Sequence, residues 1–201
     1  LLNLYESTFK VFYLSWSFDL AKIMEVDFFD EKGGFFIGSR ESEKLMIRAK
    51  NGYDSAMPSG NSVAITNFFR LGKITGDTRW IAISRKSLAS FSEQAKNTPT
   101  GFASMHTGFI TYNNNSKVLV VVAKSYDDRI QKIIQEIKSH YSPNIMTIFK
   151  DISDPDKLNY IAPWLSSYTC LQEKPTFYLC EDFACKQPTK NIKTILNLLQ
   201  Y

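Results

Sequence analysis

The sequence predicts a mainly helical protein that ends in a small α/β subdomain with three strands. In the first part of the chain, apolar residues recur at steps of three and four, which is the period of an amphipathic helix. After Asn113–Asn115, strand-like segments alternate with helix-like segments, as in a small, mostly parallel α/β unit. We therefore expect a region of helical hairpins over residues 1–112 and an α/β subdomain over residues 117–201.

The composition supports a packed protein and argues against several classes of partner. An aromatic content of 14% needs a packed interior, so the chain is not disordered. The net charge is only +4 and the basic residues are scattered, which argues against a nucleic-acid partner. The longest apolar run, Val118–Ala123, is far too short to span a membrane. Three cysteines cannot all pair, so we expect a reducing compartment, the cytoplasm.

The first two helices follow from the apolar stripe that begins at Leu2. The stripe continues to Ile23 and is broken near residues 8–11, so it predicts two helical pieces with Phe9, Phe12 and Trp16 mainly in the core. Because the chain has no initiating Met and begins inside this stripe, we expect a fragment that lacks its N-terminal portion.

Short extended segments and further helices follow in order. Phe35–Ile37 is predicted to be extended, with Leu45–Ala49 as its hairpin partner or as another short strand. A turn at Thr75–Thr78 separates two predicted helices, and His106 is expected on a third helix after Gly101. The two helices are Ser62–Ile74 and Arg79–Gln94.

A weak repeat connects two helical turns of the first region. Residues 4–16 and 71–83 each have a Leu, a Thr four positions later and an aromatic residue five positions after that. Repeated helical hairpins stack into a solenoid or close into a ring. The alternative is two similar turns in an ordinary helical domain.

The second region is predicted as strands and helices in alternation. Each strand is a short apolar run, and each helix has apolar residues on one face. The strands are Lys117–Ala123, Asn144–Phe149 and Thr176–Cys180, and the helices are Asp127–Tyr141, Leu158–Ser167 and Thr189–Leu199.

The loop that opens the helix at Ser62 carries the main candidate site. Four polar side chains surround its Pro58/Gly60 turn, where the first N–H groups of a helix need partners. These side chains either cap the helix or bind a ligand, because both tasks use the same residue types. Three further candidates lie just upstream and either line the rim of the same pocket or are ordinary surface residues: Arg48, Lys50 and Tyr53. The four side chains are Asp54, Ser59, Asn61 and Ser62.

Four segments of the chain together resemble a known family. They look like the C-terminal part of YyaL-type proteins, which are thioredoxin-domain-containing proteins related to the spermatogenesis-associated ones, and the resemblance covers nearly the whole chain. It implies an N-terminal thioredoxin-like domain, followed by an α/α toroid similar to six-hairpin glycosidases and sugar 2-epimerases. This chain would then be a partial α/α toroid plus the C-terminal subdomain. The segments are Asp30–Phe36, Tyr53–Val63, Leu71–Asp77 and Tyr178–Pro188.

The sequence departs from the family at two places. Ser55 stands where many relatives are expected to have Gly, a change that a loop tolerates. Ala123-Lys124 follows the first strand of the second region, where the family often has a glycine. Without a glycine-rich loop, a nucleotide cofactor is not expected.

The toroid resemblance suggests a carbohydrate ligand and leaves open whether the protein is an enzyme. An activity like that of a sugar epimerase or a glycoside hydrolase would use Asp54 and His106 as catalytic residues. The substrate-binding candidates are then Arg48, Tyr53, Ser59, Asn61 and Ser62. Hydrolysis needs two carboxylates, and beyond Asp54 the chain offers only Glu41 or Glu43 as remote partners. A lone histidine such as His106 is also typical of a satisfied core residue.

Three further expectations follow from the sequence. No metal is expected, because Cys180-x4-Cys185 lacks the four closely spaced ligands of a zinc site. Cys180 is expected to be reduced and structural, with a redox link to the thioredoxin-like domain as the alternative. The alternative to a carbohydrate function is a non-enzymatic scaffold or interaction module that serves the thioredoxin-like domain, with self-association of the truncated toroid.

Overall fold

A computed structural model describes residues 1–41, 47–113, 116–140, 144–181 and 183–199. The described chain is mainly helical and has a small four-stranded sheet, so the predicted fold class is confirmed. The helices are α1 Leu2–Thr8, α2 Val11–Asp27, α3 Gly60–Thr75, α4 Thr78–Ser90, α5 Ser92–Asn97, α6 Ala103–Asn113, α7 Asp128–Ser139, α8 Asp156–Ile161 and α9 Ile192–Leu199. The strands are β1 Lys117–Ala123, β2 Ile145–Asp151, β3 Thr176–Glu181 and β4 Ala184–Cys185.

The chain forms two compact units. The helical unit consists of the described residues of Leu1–Leu2, Phe12–Lys73 and Asp77–Asn113. The sheet unit consists of Asn3–Val11, Ile74–Gly76 and the described residues of Asn114–Tyr201. Part of the asparagine run lies outside the described residues, and the division at residues 112 and 117 stays a prediction.

The break between α1 and α2 confirms the expected division of the first stripe. Phe9 adopts a left-handed backbone conformation with φ of 53°, and its N–H donates to the Tyr5 carbonyl at 2.6 Å. A residue in this conformation commonly ends a helix, because the following N–H groups no longer point along the helix axis. The next helix begins two residues later, at Val11.

The turn between α3 and α4 depends on a glycine. Gly76 has φ of +81°, and a Cβ at this position would lie 2.9 Å from Cδ1 of Trp164. The Trp164 ring is held there, because its Nε1–H donates to the Ile74 carbonyl at 2.9 Å. Asp77 then caps α4 by accepting a hydrogen bond from the Arg79 N–H at 3.0 Å. The predicted turn at Thr75–Thr78 is thus confirmed.

Two predicted helices are divided in the structure. The helix predicted over Arg79–Gln94 is interrupted at Phe91, where α4 ends and α5 follows at Ser92. The helix predicted over Leu158–Ser167 is α8 followed by a 3₁₀ turn, Pro163–Ser167. Pro163 has no N–H to donate, so the α-helical hydrogen bonds cannot continue through it.

Two clusters of described residues lie in the core of the helical unit. In one, Phe35, Phe68 and Trp80 pack ring against ring, with centroids 4.9 Å and 5.8 Å apart. Trp80 also contacts α2, because its Nε1–H donates to a Glu25 carboxylate oxygen at 2.8 Å. The other cluster joins buried residues of α3, the Phe91 corner, α5, the 3₁₀ turn before α6, and α6 itself. These residues are Ile65, Phe91, Ala95, Phe102 and Met105.

The sheet of the second unit is mixed. Its strand order is β2-β1-β3-β4, with β1 parallel to β2 and antiparallel to β3. The expectation of a mostly parallel sheet therefore holds for one pair only. A strand buried on both faces, as β1 is at every position, has the same apolar pattern whichever way its neighbour runs. The sequence pattern missed β4 because the strand has only two residues.

The segments predicted as a short hairpin make limited contact. The Ile37 N–H donates to the Ala49 carbonyl at 2.9 Å, and Phe29 and Phe35 form an isolated antiparallel bridge. Within the described part of these segments, neither forms a strand. Leu45 and Met46 lie outside the described residues, as does Tyr141 at the predicted end of α7.

Candidate functional site

Asp54 is buried and bridges two helix starts. One carboxylate oxygen accepts from the Ser59 N–H at 2.7 Å, just before α3. The other accepts from the N–H groups of Ser104 and Met105, at 2.8 Å and 3.3 Å, in the first turn of α6. Its own N–H donates to the Gly101 carbonyl at 2.6 Å. Asp54 therefore satisfies N–H groups that the starts of two helices leave without partners.

These contacts set the charge of Asp54. Burial raises the pKa of its carboxyl group, but the hydrogen bonds from Ser59, Ser62, Ser104 and Met105 outweigh burial, so the net pKa is lowered. A carboxyl group with a lowered pKa stays ionised at neutral pH. A general acid in sugar chemistry needs a raised pKa instead, so the lowered pKa argues against that one role for Asp54.

The two serines of the loop form a cap for α3. The Ser59 hydroxyl accepts from the Ser62 N–H at 3.1 Å, which is the usual N-cap contact. The same hydroxyl donates to the Gly52 carbonyl at 3.1 Å and lies 2.9 Å from the Ser62 hydroxyl. Both serines are buried.

Asn61 connects α3 to the extended segment. Its side-chain oxygen accepts from the Phe35 N–H at 2.6 Å, while its side-chain nitrogen donates to the carbonyls of Phe35 and Asn51, each at 2.9 Å. The amide thus replaces the backbone pairing that a neighbouring strand would supply. Asn61 is only 3% exposed, so its side-chain amide faces other residues of the protein and not the solvent.

Arg48 and Lys50 contact the backbone and the Phe36 ring. A guanidinium nitrogen of Arg48 donates to the carbonyls of Asp27 and Gly38, at 3.1 Å and 2.8 Å. Lys50 forms a 2.7 Å ion pair with Asp30, and its hydrogen bond is the main reason that the pKa of Asp30 is lowered. Both cations lie over the Phe36 ring, 4.1 Å and 5.4 Å from its centroid.

Tyr53 differs from its neighbours because its side chain is 53% exposed. Its ring meets the Phe102 ring edge to face at 6.0 Å. The same ring lies so close to Gly101 that a Cβ there would be 2.2 Å from Tyr53 Cε2. Tyr53 is therefore a fixed aromatic surface beside the buried Asp54.

His106 lies on α6, as predicted, but away from the polar loop. It lines an open cavity of about 620 Å³ between α4, α5 and α6. Asp54, Ser59, Asn61 and Ser62 are not among the described residues that line this cavity. The structure thus brings the four loop residues together and places His106 elsewhere. The catalytic and substrate-binding assignments of these residues stay predictions.

The remaining acidic candidates add no second carboxylate to the loop. Glu41 is exposed, and Glu43 lies outside the described residues. Among the residues with described positions, no group of three or more His, Cys, Asp or Glu side chains is arranged to hold a metal ion.

One face of α2 that the sequence predicts to be buried is exposed in the structure. Phe12 and Trp16 were expected mainly in the core, yet they are 46% and 52% exposed, with ring centroids 4.4 Å apart. The buried face of α2 instead carries smaller side chains: Leu14, Ser17 and Ala21. The apolar period was correct, but it could not show which of two apolar faces meets the core. Phe9 is buried, as expected.

The expected reduced state of Cys180 is wrong. Cys180 and Cys185 form a disulfide with a sulfur–sulfur distance of 2.03 Å. The two residues are directly opposite each other on β3 and β4, so the strand pairing brings their side chains together. Because the sequence pattern missed β4, it could not show this juxtaposition. Cys170 is a free, partly buried cysteine.

Comparison with known proteins confirms the resemblance found in the motifs. Spermatogenesis-associated protein 20 of Homo sapiens is 30% identical to this chain over 190 residues, and the protein of that name from Rattus norvegicus matches equally. The chain is a homologue of spermatogenesis-associated protein 20 over this stretch. An uncharacterised protein of Caenorhabditis elegans is 24% identical over 200 residues. No family model matches the chain.

The match covers this chain almost fully and its relatives only in part. The match to each mammalian spermatogenesis-associated protein 20 covers 94% of this chain but only 24% of the relative. The match to the nematode protein covers 98% of this chain and 27% of the relative. The chain thus spans about a quarter of the length of the relatives it matches. Within the described residues, every helix is too short or too polar to cross a bilayer.

Proposed function

We propose that this chain is an interaction module in which the exposed apolar face of α2 packs against a further helix. One observation carries the proposal: five large apolar side chains along one face of α2 are 46–63% exposed. Soluble proteins seldom leave a contiguous apolar surface of this kind uncovered, and such surfaces mark interaction sites. The five residues are Phe12, Trp16, Leu20, Ile23 and Val26.

The spacing of these side chains makes one continuous stripe. Their separations of four, four, three and three residues keep them on one side of a helix that turns about 100° per residue. The opposite side of α2, in contrast, is buried within the helical unit, at Leu14, Ser17 and Ala21. A helix that is apolar on both sides is typical of one that is covered on both sides.

The stripe is large enough to stabilise an interface. Burying a large apolar side chain fully contributes about 1.5–3 kcal/mol, so covering five that are roughly half exposed would contribute about 5 kcal/mol before the entropy lost on association. A helix is the natural partner, because side chains spaced by three and four residues fit the grooves of another helix.

The relatives suggest where such a helix comes from. About three quarters of the length of spermatogenesis-associated protein 20 lies outside the region that this chain matches. We therefore assign the covering helix to the further polypeptide of a longer protein, in line with a toroid of stacked helical hairpins that carries a thioredoxin-like domain. In the 201-residue chain alone, a second copy can take the place of that helix.

The test compares the self-association of two double variants. Sedimentation over a range of concentrations should show that the wild-type chain self-associates and that Trp16→Gln/Ile23→Gln stays monomeric. The control, Ile47→Gln/Met57→Gln, removes two side chains that are even more exposed, at 80% and 77%, but lie outside α2. It should associate like the wild type. A wild-type chain that stays monomeric at high concentration would contradict the proposal.

Carbohydrate binding is the second candidate, favoured by the exposed ring of Tyr53. A fixed, half-exposed aromatic ring offers an apolar face and a polar hydroxyl to a sugar. An epimerase-like or hydrolase-like activity would depend on this binding. Calorimetry with a broad panel of monosaccharides and short glycans should give heat with the wild type and none with Tyr53→Ser. No heat with the wild type would exclude this candidate.

A further inference from the structure

The cavity between α4, α5 and α6 has an apolar interior. Its volume is about 620 Å³, within the range of roughly 300–1,000 Å³ that is usual for small-molecule sites. Two of its lining residues, Ala95 and Met105, belong to a buried core cluster, and Leu88 packs against that cluster. The ring of Phe109, 49% exposed, also lines it. Because the lining includes core residues, the cavity has a fixed floor.

The charged groups that line the cavity have one sign. Arg85 on α4 and Lys96 on α5 both line it, and both are exposed. No Asp or Glu is found among the described residues that line the cavity. Because the described lining carries cationic and no acidic side chains, the cavity favours a negatively charged group.

His106 adds a polar group that lacks a partner. Its Nε2 is buried and has no hydrogen-bond partner among the residues that the structure describes. Buried polar atoms nearly always have a partner, and each exception asks for an explanation. Because this nitrogen is closed even to a water molecule, the His106 ring contributes contact surface to the cavity, and the charged groups available to a ligand are those of Arg85 and Lys96.

We infer that this cavity binds an amphipathic organic anion, such as a carboxylate on an apolar chain. The apolar part lies against Met105 and Phe109, while the carboxylate lies near Arg85 and Lys96. This site shares no residue with the α2 stripe, and it includes neither Tyr53 nor the polar loop. The inference is therefore independent of the proposed interaction function and of carbohydrate binding.

The test uses three probes that have the same chain and different head groups. Decanoate, 1-decanol and decyltrimethylammonium are titrated into the 201-residue protein, and the ¹³C-labelled methyl group of Met105 is followed by NMR. Loss of the signal in Met105→Leu assigns it among the five methionines. Decanoate should shift this methyl signal and bind about tenfold more tightly than the cation, because two exposed cations each add a modest attraction.

Variants assign the effect to the cavity. Arg85→Gln/Lys96→Gln should weaken decanoate binding about tenfold and leave decanol binding unchanged. Lys86→Gln is the matched control: it removes a charge from α4 outside the cavity lining and should change binding less than about twofold. Ala89→Phe places a ring in the cavity and should abolish the Met105 shift, whereas binding at the α2 stripe would persist.

Any one of four results would overturn the inference. The first is an unchanged Met105 methyl signal with every probe. The second is a cation that binds as tightly as decanoate. The third is decanoate binding that survives both Ala89→Phe and the double charge variant. If only decanol and decanoate bind, and with equal affinity, the cavity is an apolar site and the assignment to anions is wrong.

Discussion

Replacing Asp54 with Asn tests whether the polar loop is a structural cap or a ligand site. Asp54 accepts three backbone hydrogen bonds while buried, two on one oxygen and one on the other. Asn has a single acceptor oxygen. If that oxygen accepts from Ser104 and Met105, the side-chain NH₂ group of Asn faces the Ser59 N–H, and that hydrogen bond is lost because both groups are donors. The variant also loses the negative charge that strengthens the remaining two bonds.

The magnitude follows from these three bonds. A hydrogen bond to a charged group contributes about 1.5–3 kcal/mol, against about 1 kcal/mol for a neutral one. One lost bond and two weakened bonds predict that Asp54→Asn lowers the free energy of unfolding by about 3–4 kcal/mol. Asp77→Asn is the matched control, because Asn and Asp cap helices equally well, so its cost should stay within about 1 kcal/mol.

The pH dependence of the stability difference tests the same role of Asp54 in a second way. The pKa of Asp54 is lower in the folded protein than in the unfolded chain. The ionised carboxylate therefore contributes fully to the free energy of unfolding above the unfolded pKa of about 3.9. That contribution is lost as the pH falls through the folded pKa. The stability difference between wild type and Asp54→Asn should therefore shrink below about pH 4.

Urea unfolding followed by circular dichroism measures the stability difference, and hydrogen exchange measures protection at the Ser104 and Met105 amides. In Asp54→Asn both amides should exchange faster, because a neutral amide oxygen accepts from them more weakly than the carboxylate does. The reasoning fails if Asp54→Asn unfolds like the wild type and keeps Ser104 protected. That outcome, together with weaker sugar binding, would make Asp54 a ligand group.

Three further predictions concern other contacts. Asn61→Asp should lower stability by about 3 kcal/mol in urea unfolding, because a carboxylate oxygen would face two carbonyl oxygens; stability equal to wild type would contradict this. Gly76→Ala should lower it by about 2–4 kcal/mol through its positive φ and the Trp164 ring, while Gly60→Ala, with open space around its Cβ, should cost nothing. The Cys180–Cys185 disulfide joins residues five apart, so reducing it should lower stability by about 2 kcal/mol. Thermal unfolding with and without dithiothreitol measures this difference, and alkylation of both thiols in the absence of reductant would refute the pairing.

Local signals in the sequence predicted most of the helices and strands. The apolar period located α3 and α7 to within two residues at each described end, and the buried run located β1 at Lys117–Ala123. The Gly76-Asp77 pair predicted the turn before α4. These features depend on residues that are close in the chain, so the sequence carries them directly.

The candidate site was predictable in its residues but not in its contacts. The sequence showed that Asp54, Ser59, Asn61 and Ser62 surround a helix start. It could not show that Asp54 also accepts from Ser104 and Met105, about fifty residues later. Capping and ligand binding use the same residue types, so only the positions of the partner atoms distinguish them.

The sequence by itself determined the fold class, the order of most helices and strands, and the resemblance to spermatogenesis-associated proteins. Only the tertiary structure decided which face of α2 is exposed, which way β3 runs beside β1, and that Cys180 meets Cys185. An apolar period shows that a face exists, but contacts between residues far apart in the chain select the face that is buried. For the same reason His106 lies in a cavity of its own and not beside Asp54, because its position depends on how α4, α5 and α6 pack.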